Sequence, residues 1–490
     1  MTSRAGESVA RSVVRRNAYA DSITLLQVTA LVAEQRGVQD AALVMATELN
    51  RDVLRQSGLL TDEAAAAGPN DLVIAVRAVD EATANGLLVF AEGKLQQRRR
   101  PPGGLAEQPP RTLRSAQREF PEATLAVISV PGPYAAAEAR QALLAGLHVF
   151  LFSDNVPLED EIELKQRGQA AGLLVMGPDC GTAIVGGVGL GFANVVRRGS
   201  IGLIGASGTG LQEVSCLLDR AGLGVSHAIG TGGRDLDARV GGRTTLQALD
   251  LLRDDPATER IVLLSKPAAA AVAERVLGAA VATGKPIVAC LLGAESTLAP
   301  TGVRLARTLE EAAWLAAGAA ARMDDADDLP RPPLVAGQRQ VRGLFCGGTL
   351  CQEAALLLGE TVEHYLVDFG ADEYTRGRAH PMIDPSLRNQ AIMEAADDSR
   401  VAVLLLDVIL GYGAHADPAG AMAPTLRAAQ QRARAGGREL TVLAHVVGTP
   451  GDPQRLEQQA ATLRGLGVHL CGSNAQMALA AARLLSIGCA

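Results

Sequence analysis

Aromatic side chains make up only 3% of this 490-residue chain, with a single tryptophan. That scarcity argues against the stacking surfaces on which sugars and single-stranded nucleic acids are held. Basic residues are in deficit as well: 46 Lys and Arg stand against 53 Asp and Glu, a formal charge of −7, so there is no electrostatic footprint for nucleic acid. The one dense basic run, Gln96-Gln97-Arg98-Arg99-Arg100, leads into Pro101-Pro102-Gly103-Gly104 and reads as a solvated linker. No apolar run approaches the roughly 20 residues that span a bilayer, and the start lacks the apolar stretch of an export signal. Together these predict a cytoplasmic protein with no membrane partner. Seven cysteines lie scattered without a CxxC pair and are expected as free thiols. The seven histidines form neither HExxH nor an i,i+4 pair, so no metal site is expected. GxxxxGK[ST] is missing too, which makes nucleotide hydrolysis an unlikely task for this chain, and nothing calls for a bound cofactor.

What the chain does have is a duplicated unit. Gly208-Thr209-Gly210-Leu211-Gln212-Glu213 returns as Gly348-Thr349-Leu350-Cys351-Gln352-Glu353, each time directly after a short apolar strand. A helix opening at such a loop offers unpaired N–H groups and the positive end of its dipole, which suit a phosphate or carboxylate. The repeat continues through the apolar runs Ile261–Leu264 and Val401–Leu406, then Pro286–Leu292 and Leu440–Val447. Apolar runs of this length, bounded by glycines and alternating with Ala/Leu-rich helical segments, indicate parallel strands buried on both faces. The fold class is therefore α/β, with two repeated doubly wound, flavodoxin-like parallel-sheet domains.

Four regions are expected. Residues 1–100 form a small α+β domain, with strands near Val13–Asn17, Ala41–Met45 and Leu72–Val76 and helices at Ser22–Gln35, after Glu48 and from Glu81. Residues 111–198 form a truncated Rossmann-like domain, 199–323 the first repeat and 341–490 the second. The charged, proline-rich run Asp324–Pro333 joins the repeats.

Val130-Pro131-Gly132-Pro133, Gly177–Thr182, Ile204–Thr209 and Gly230–Asp235 resemble the α subunit of succinyl-CoA synthetase, and the region after Arg342 resembles the C-terminal domain of that enzyme's β subunit. The fused order, the extra N-terminal unit and the block Thr375-Arg376-Gly377-Arg378-Ala379-His380-Pro381 resemble the FdrA family. The resemblance implies a subunit of oxamate carbamoyltransferase, which interconverts carbamoyl phosphate plus oxamate with oxalurate plus phosphate in purine and allantoin breakdown, working with companion subunits. Two alternatives stay open: a subunit of an acyl-CoA synthetase, and a non-catalytic scaffold. Three departures from the synthetase pattern bear on the choice. No histidine occurs between His227 and His364, so the synthetase's phosphohistidine has no counterpart. The glutamate that supports it would fall at Lys266. The opening strand and glycine-rich turn of a CoA-binding domain are missing.

Candidate site residues follow. Ser207, Gly208 and Thr209 form an anion cradle, or else a turn for close strand–helix packing. Gly348 and Thr349 echo it, and the loop Gly411-Tyr412-Gly413 precedes the helix expected to face the first cradle. Gly232, Gly233 and Arg234 offer flexible backbone and a guanidinium for an anion, or a turn with a surface ion pair. Asp179 and Cys180 wall the pocket, or Cys180 is a small buried side chain. Arg376 and Arg378 hold a carboxylate while His380 moves a proton near neutral pH, or their block is a docking loop. Lys266, Arg234 and His380 are the catalytic candidates, acting on a small phosphorylated or carboxylate substrate.

Overall fold

The computed structural model describes residues 8–18, 20, 22–33, 35–98, 110–294, 300–318, 334–335, 337–375 and 378–487. The expected linkers lie outside these, residues 99–109 and 324–333, and so does the segment 295–297. The chain divides into two units, one of residues 1–109 with 377–379 and one of residues 110–376 with 380–490.

The first unit holds a three-stranded antiparallel sheet in the order Val9–Arg15, Leu72–Ala78, Val38–Met45. Period-2 alternation on the central strand feeds two cores. Leu72, Ile74, Val76 and Ala78 pack under helices Ser22–Ala33 and Glu81–Arg98, while Val73 and Ala75 meet Leu54 and Ala64 on the other face. The first strand runs earlier than expected and stops at Arg15, because Asn17 takes a left-handed turn conformation with φ +50°.

The second unit contains three sheets. A small parallel sheet is built from Leu125–Ile128, His148–Leu151 and Val175–Met176. In the first repeat the parallel strands lie in the order Val303–Leu305, Ile287–Leu291, Arg260–Ser265, Arg198–Ala206, Val225–Gly230. In the second the order is His364–Asp368, Gln340–Phe345, Val401–Ile409, Thr441–Val447, His469–Cys471. Numbered within each repeat, both read 2-1-3-4-5, the flavodoxin-like doubly wound order. The hairpin of Thr182–Val185 and Val188–Gly191 was expected with the preceding domain. It instead extends the first repeat's sheet, pairing antiparallel with Val225–Gly230, so that sheet runs across the expected break at 198.

One apolar core runs between the two sheets, from Leu203, Leu211 and Val214 of the first repeat to Leu350, Leu405 and Leu443 of the second. A buried polar seam crosses it. His445 Nε2 lies 2.7 Å from Glu213 Oε2, and Asn474 Nδ2 donates to Glu353 Oε2 at 2.8 Å. Glu213 and Glu353 are the repeat-equivalent glutamates, so the duplication itself places a carboxylate from each half in the seam. Among the described residues no helix is long and apolar enough to cross a membrane.

Candidate functional site

In a 2-1-3-4-5 sheet, neighbouring connections leave on opposite faces between strands 1 and 3, opening a crevice at the carboxyl edge. In the first repeat this crevice falls between Ser207, after strand Arg198–Ala206, and Lys266, after strand Arg260–Ser265. In the second it falls between Gly347, after Phe345-Cys346, and the loop after Ile409.

Ser207 caps helix Gly208–Arg220, its Oγ accepting from Gly210 N–H at 2.9 Å. The same Oγ lies 2.6 Å from Thr349 Oγ1, so the N-termini of helices Gly208–Arg220 and Gly348–Leu358 meet. The second helix has no side-chain cap. Its loop is pinned from below by Asp407, which accepts from Cys346 N–H and Gly347 N–H, each at 2.8 Å, and is paired with Arg388 Nη1 at 2.9 Å. That buried pair fixes the glycine loop from which the helix starts, and no side chain caps the helix's first N–H groups.

Lys266 and Asp368 flank Gly348. A Cβ built there would collide with Asp368 Oδ2 and stand 2.8 Å from Lys266 Nζ. Among the described residues Lys266 has no carboxylate within 4.0 Å. Asp368 ends its strand with Oδ1 accepting from Gly370 N–H at 2.9 Å. Burial lifts its carboxyl to about 6 against the opposing pull of Lys266. His380 completes this side, with Nε2 2.8 Å from the position of a Cβ on Gly370. Asp179 contributes from the other wall, 3.5 Å from the position of a Cβ on Gly233. Asp179 is itself exposed. Desolvation by the surrounding protein raises it to about 7 in spite of Lys266, with Asp154 and Asp372 adding to the rise.

Ser207, Thr209, Gly348, Thr349 and Lys266 thus come together; Thr209 Oγ1 lies 2.9 Å from where a Cβ on Gly347 would sit. Gly208 is in the same place but has ordinary room for a side chain, 3.5 Å from Thr182 Oγ1 at the closest. The crowded glycine is Gly348.

Four expectations need correction. The helix end facing Ser207–Thr209 is that of Gly348, not one following Gly411-Tyr412-Gly413: this loop packs on the hairpin, Tyr412 N–H donating to Ala193 O at 2.8 Å, and its helix begins only at Pro418. Arg234 is committed elsewhere, to Glu161 Oε2 at 2.9 Å and Val156 O at 2.8 Å. Its neighbour Asp235 is wholly buried on Lys165 Nζ at 2.7 Å, so the Gly232-Gly233-Arg234-Asp235 turn anchors helix Leu158–Ala171, with Gly232 seated on Pro178 O at φ +86°. Cys180 is a buried thiol raised to about 12 by burial, with Sγ on Thr182 O, and does not line the cleft. His380 does not change charge near neutrality: burial and then the Arg388 guanidinium lower it to about 4. Met382 N–H donates to its Nδ1 at 3.3 Å, which leaves the proton on Nε2. Arg378 is exposed, and Arg376 lies outside the described residues.

The sequence reading passed over Asp368, Asp407 and Arg388. Two aspartates at or near the carboxyl ends of parallel strands beside a switch point, Asp368 and Asp407, were the available signal.

Residues 344–484 match the CoA-ligase family, and residues 8–110 match the family described as AllF, heavy metal-associated domain. The uncharacterized protein YahF of Escherichia coli K12 is 42% identical, over 97% of this chain and 98% of its own. The α subunit 2 of an ADP-forming succinate–CoA ligase from Archaeoglobus fulgidus is 31% identical over 32% of this chain and 54% of its own. The chain therefore spans about half of that subunit. Among solved structures, the apo dinucleotide-forming acetyl-coenzyme A synthetase 1 of Ca. Korarchaeum cryptofilum aligns at 18% identity over 74% of this chain and 83% of its own, with a TM-score of 0.31. Residues 8–110 contain neither cysteine nor histidine, so the thiolate and imidazole donors that hold soft metals are not in that segment, and its residues do not fit such a metal.

Proposed function

The chain belongs to the FdrA family of succinyl-CoA synthetase-like proteins, and from that premise we propose that it is the phosphate-gripping subunit of a carbamoyl-transferring complex. The reaction is that of oxamate carbamoyltransferase: carbamoyl phosphate plus oxamate gives oxalurate plus phosphate. One observation carries the reading. Lys266 stands beside the uncapped N-terminus of helix Gly348–Leu358, against Ser207 and Thr209, on a segment with no histidine from His227 to His364. Such a site can hold a phosphoryl group by charge and backbone donors without being phosphorylated.

In this reading Lys266 and the helix ends take the phosphoryl oxygens as charge builds on the leaving group. The neutral His380 donates through Nε2–H to the carbamoyl carbonyl, as an imidazole of lowered pKa can do at neutral pH. No soft metal is given a part. Companion subunits are expected to supply the rest of the acceptor site.

A second reading, a subunit of an acid–CoA ligase, is favoured by the CoA-ligase match over 344–484. One experiment separates the two. The complex assembled with its companion subunits is assayed with carbamoyl phosphate and oxamate, and separately for CoA-dependent phosphate release, with labelled carbamoyl phosphate or ATP used to seek acid-labile label on the chain. Oxalurate formation without a phosphoenzyme is expected. CoA-dependent release with stoichiometric phosphohistidine would put the ligase first.

A further inference from the structure

Among the described residues, Asp368 is the carboxyl-bearing side chain that shares Gly348 with Lys266 and Gly370 with His380. Asp368 Oδ1 is held by Gly370 N–H at 2.9 Å, which turns Oδ2 over Gly348, next to Lys266. Across Gly370, His380 Nε2 and Asp368 Oδ1 lie 2.8 and 3.1 Å from one and the same point, the position a Cβ on that glycine would take. A carbonyl reached by His380 and a phosphoryl group reached by Lys266 would therefore both be neighbours of the Asp368 carboxyl, the first on its Oδ1 side and the second on its Oδ2 side. Asp179 stands by Gly233 and also feels the Lys266 charge, but among the described residues no contact ties it to Gly348 or Gly370, and Asp154 is engaged by Thr375 Oγ1 at 3.2 Å.

Resting on the carbamoyl-transfer reading, we propose that Asp368 is the general base that takes the proton from the acceptor nitrogen as that nitrogen attacks the carbamoyl carbon. The nitrogen lone pair forms the new N–C bond, and the C–O bond to phosphate breaks with its electron pair leaving on the phosphate oxygen. The N–H proton passes to Asp368 Oδ2 and from there to the departing phosphate, which leaves as HPO4 2−. Atoms and charge balance with no further reactant.

An amide nitrogen is a poor nucleophile until its proton has somewhere to go, so the reaction calls for a base beside the attacking nitrogen. Asp368 is half-buried, and its elevation to about 6 leaves it ionised at neutral pH yet more basic than a free carboxylate. The charged groups facing it are Lys266, which lowers it, and Asp407 and Glu373, which raise it. His380 beside it is neutral through this range.

The test uses the complex assembled with companion subunits. Asp368→Asn keeps the acceptor for Gly370 N–H, so the loop is expected to hold its shape. Its kcat should fall about 100- to 1,000-fold, within the span of general-base effects. Binding of inorganic sulfate, whose charge is constant over the range, should stay within threefold or tighten, since one nearby negative charge is gone. The acid limb of kcat/KM, centred near pH 6 in the wild type, should vanish. Asp368→Glu should restore part of kcat and shift the limb.

An Asn variant with kcat within threefold of wild type, or with the acid limb intact, overturns the assignment. An intact limb that disappears in Asp179→Asn moves the base to Asp179 and overturns it equally. A wild-type complex inactive with carbamoyl phosphate instead removes the functional reading, and this role with it. An active wild type with an active Asn variant removes the role alone.

Discussion

Ser207 Oγ and Thr349 Oγ1 lie 2.6 Å apart, joining the two copies of the repeat at the first turn of each glycine-loop helix. Both residues are buried, so the contact satisfies the Thr349 hydroxyl and adds to the Gly210 N–H bond that Ser207 Oγ already accepts. The pair pins two helix N-termini to one another, and with them the width of the proposed anion site.

That contact should be measurable by a double-mutant cycle. Ser207→Ala is expected to cost about 1 kcal/mol or more, since it loses the cap on Gly210 N–H as well as the contact. Ser207→Ala and Thr349→Val should show a coupling of about 0.5–1.5 kcal/mol. The chain's one tryptophan, Trp314, lies in the second unit, so its fluorescence during denaturation reports on that unit alone. A coupling of zero would show that the hydroxyls do not bind one another in solution.

The two loop glycines should behave oppositely. A Cβ on Gly348 would have to push the ends of Asp368 and Lys266 aside, whereas Gly208 has ordinary contact distances. Gly348→Val should therefore weaken phosphate binding more than tenfold, or about 1.4 kcal/mol, and Lys266→Ala should do the same by removing the charge. Gly208→Ala should stay within threefold. Calorimetry on the assembled complex decides it, and equal effects at both glycines would place the anion elsewhere.

How much of this was legible beforehand follows from where each signal lives. The repeat announces itself in local sequence, because a buried parallel strand and a glycine turn each leave a mark within about ten residues; hence Ser207, Thr209, Gly348 and Thr349 were within reach. What the linear order hides is pairing across the fold. Nothing near Arg234 says that Glu161, 73 positions away, will hold it, nor that Arg388 and burial will keep His380 neutral. The Gly411 loop misled for a related reason. Its glycines look like a ligand loop, but Gly411 clears Ala193 O, 2.6 Å from where its Cβ would be, and Gly413 clears the Phe192 ring at 3.1 Å. Lys266 was picked out through family resemblance, whereas Asp368 needed the sheet order to bring its strand end beside it.

Asp179 should cost the protein stability as pH rises. Its folded value of about 7 lies above the ordinary 3.8, so the folded state binds the proton more tightly. Stability is then full below about pH 4 with respect to this group and is lost progressively up to about pH 7. Asp179→Asn removes the effect, and asparagine tolerates the residue's φ of +54°. The variant should melt higher than wild type at pH 8, show a smaller advantage at pH 5 and none below about pH 4. A constant difference across that range would mean that Asp179 titrates as a free carboxylate.

The seam between the repeats gives the last expectation. Burial disfavours charge on both Glu213 and His445, but their mutual attraction and the 2.7 Å hydrogen bond outweigh it, leaving the carboxyl below its ordinary value and the imidazole above 6.5. The glutamate's share of stability is present above its unfolded value and lost as pH falls through its folded one. The histidine's share is present below 6.5 and lost as pH rises through its folded value. Stability of the second unit should therefore fall off on both sides of neutrality. His445→Leu leaves a carboxylate buried with Asn474 N–H at 3.3 Å as its remaining partner, and should cost about 3–5 kcal/mol. Glu213→Gln should cost less, because an imidazole can shed its proton and still hydrogen-bond an amide, and its alkaline loss of stability should disappear. Denaturation followed through Trp314 at several pH values checks both. Equal costs for the two variants, with the alkaline limb unchanged, would show that the pair is not ionised in the folded chain.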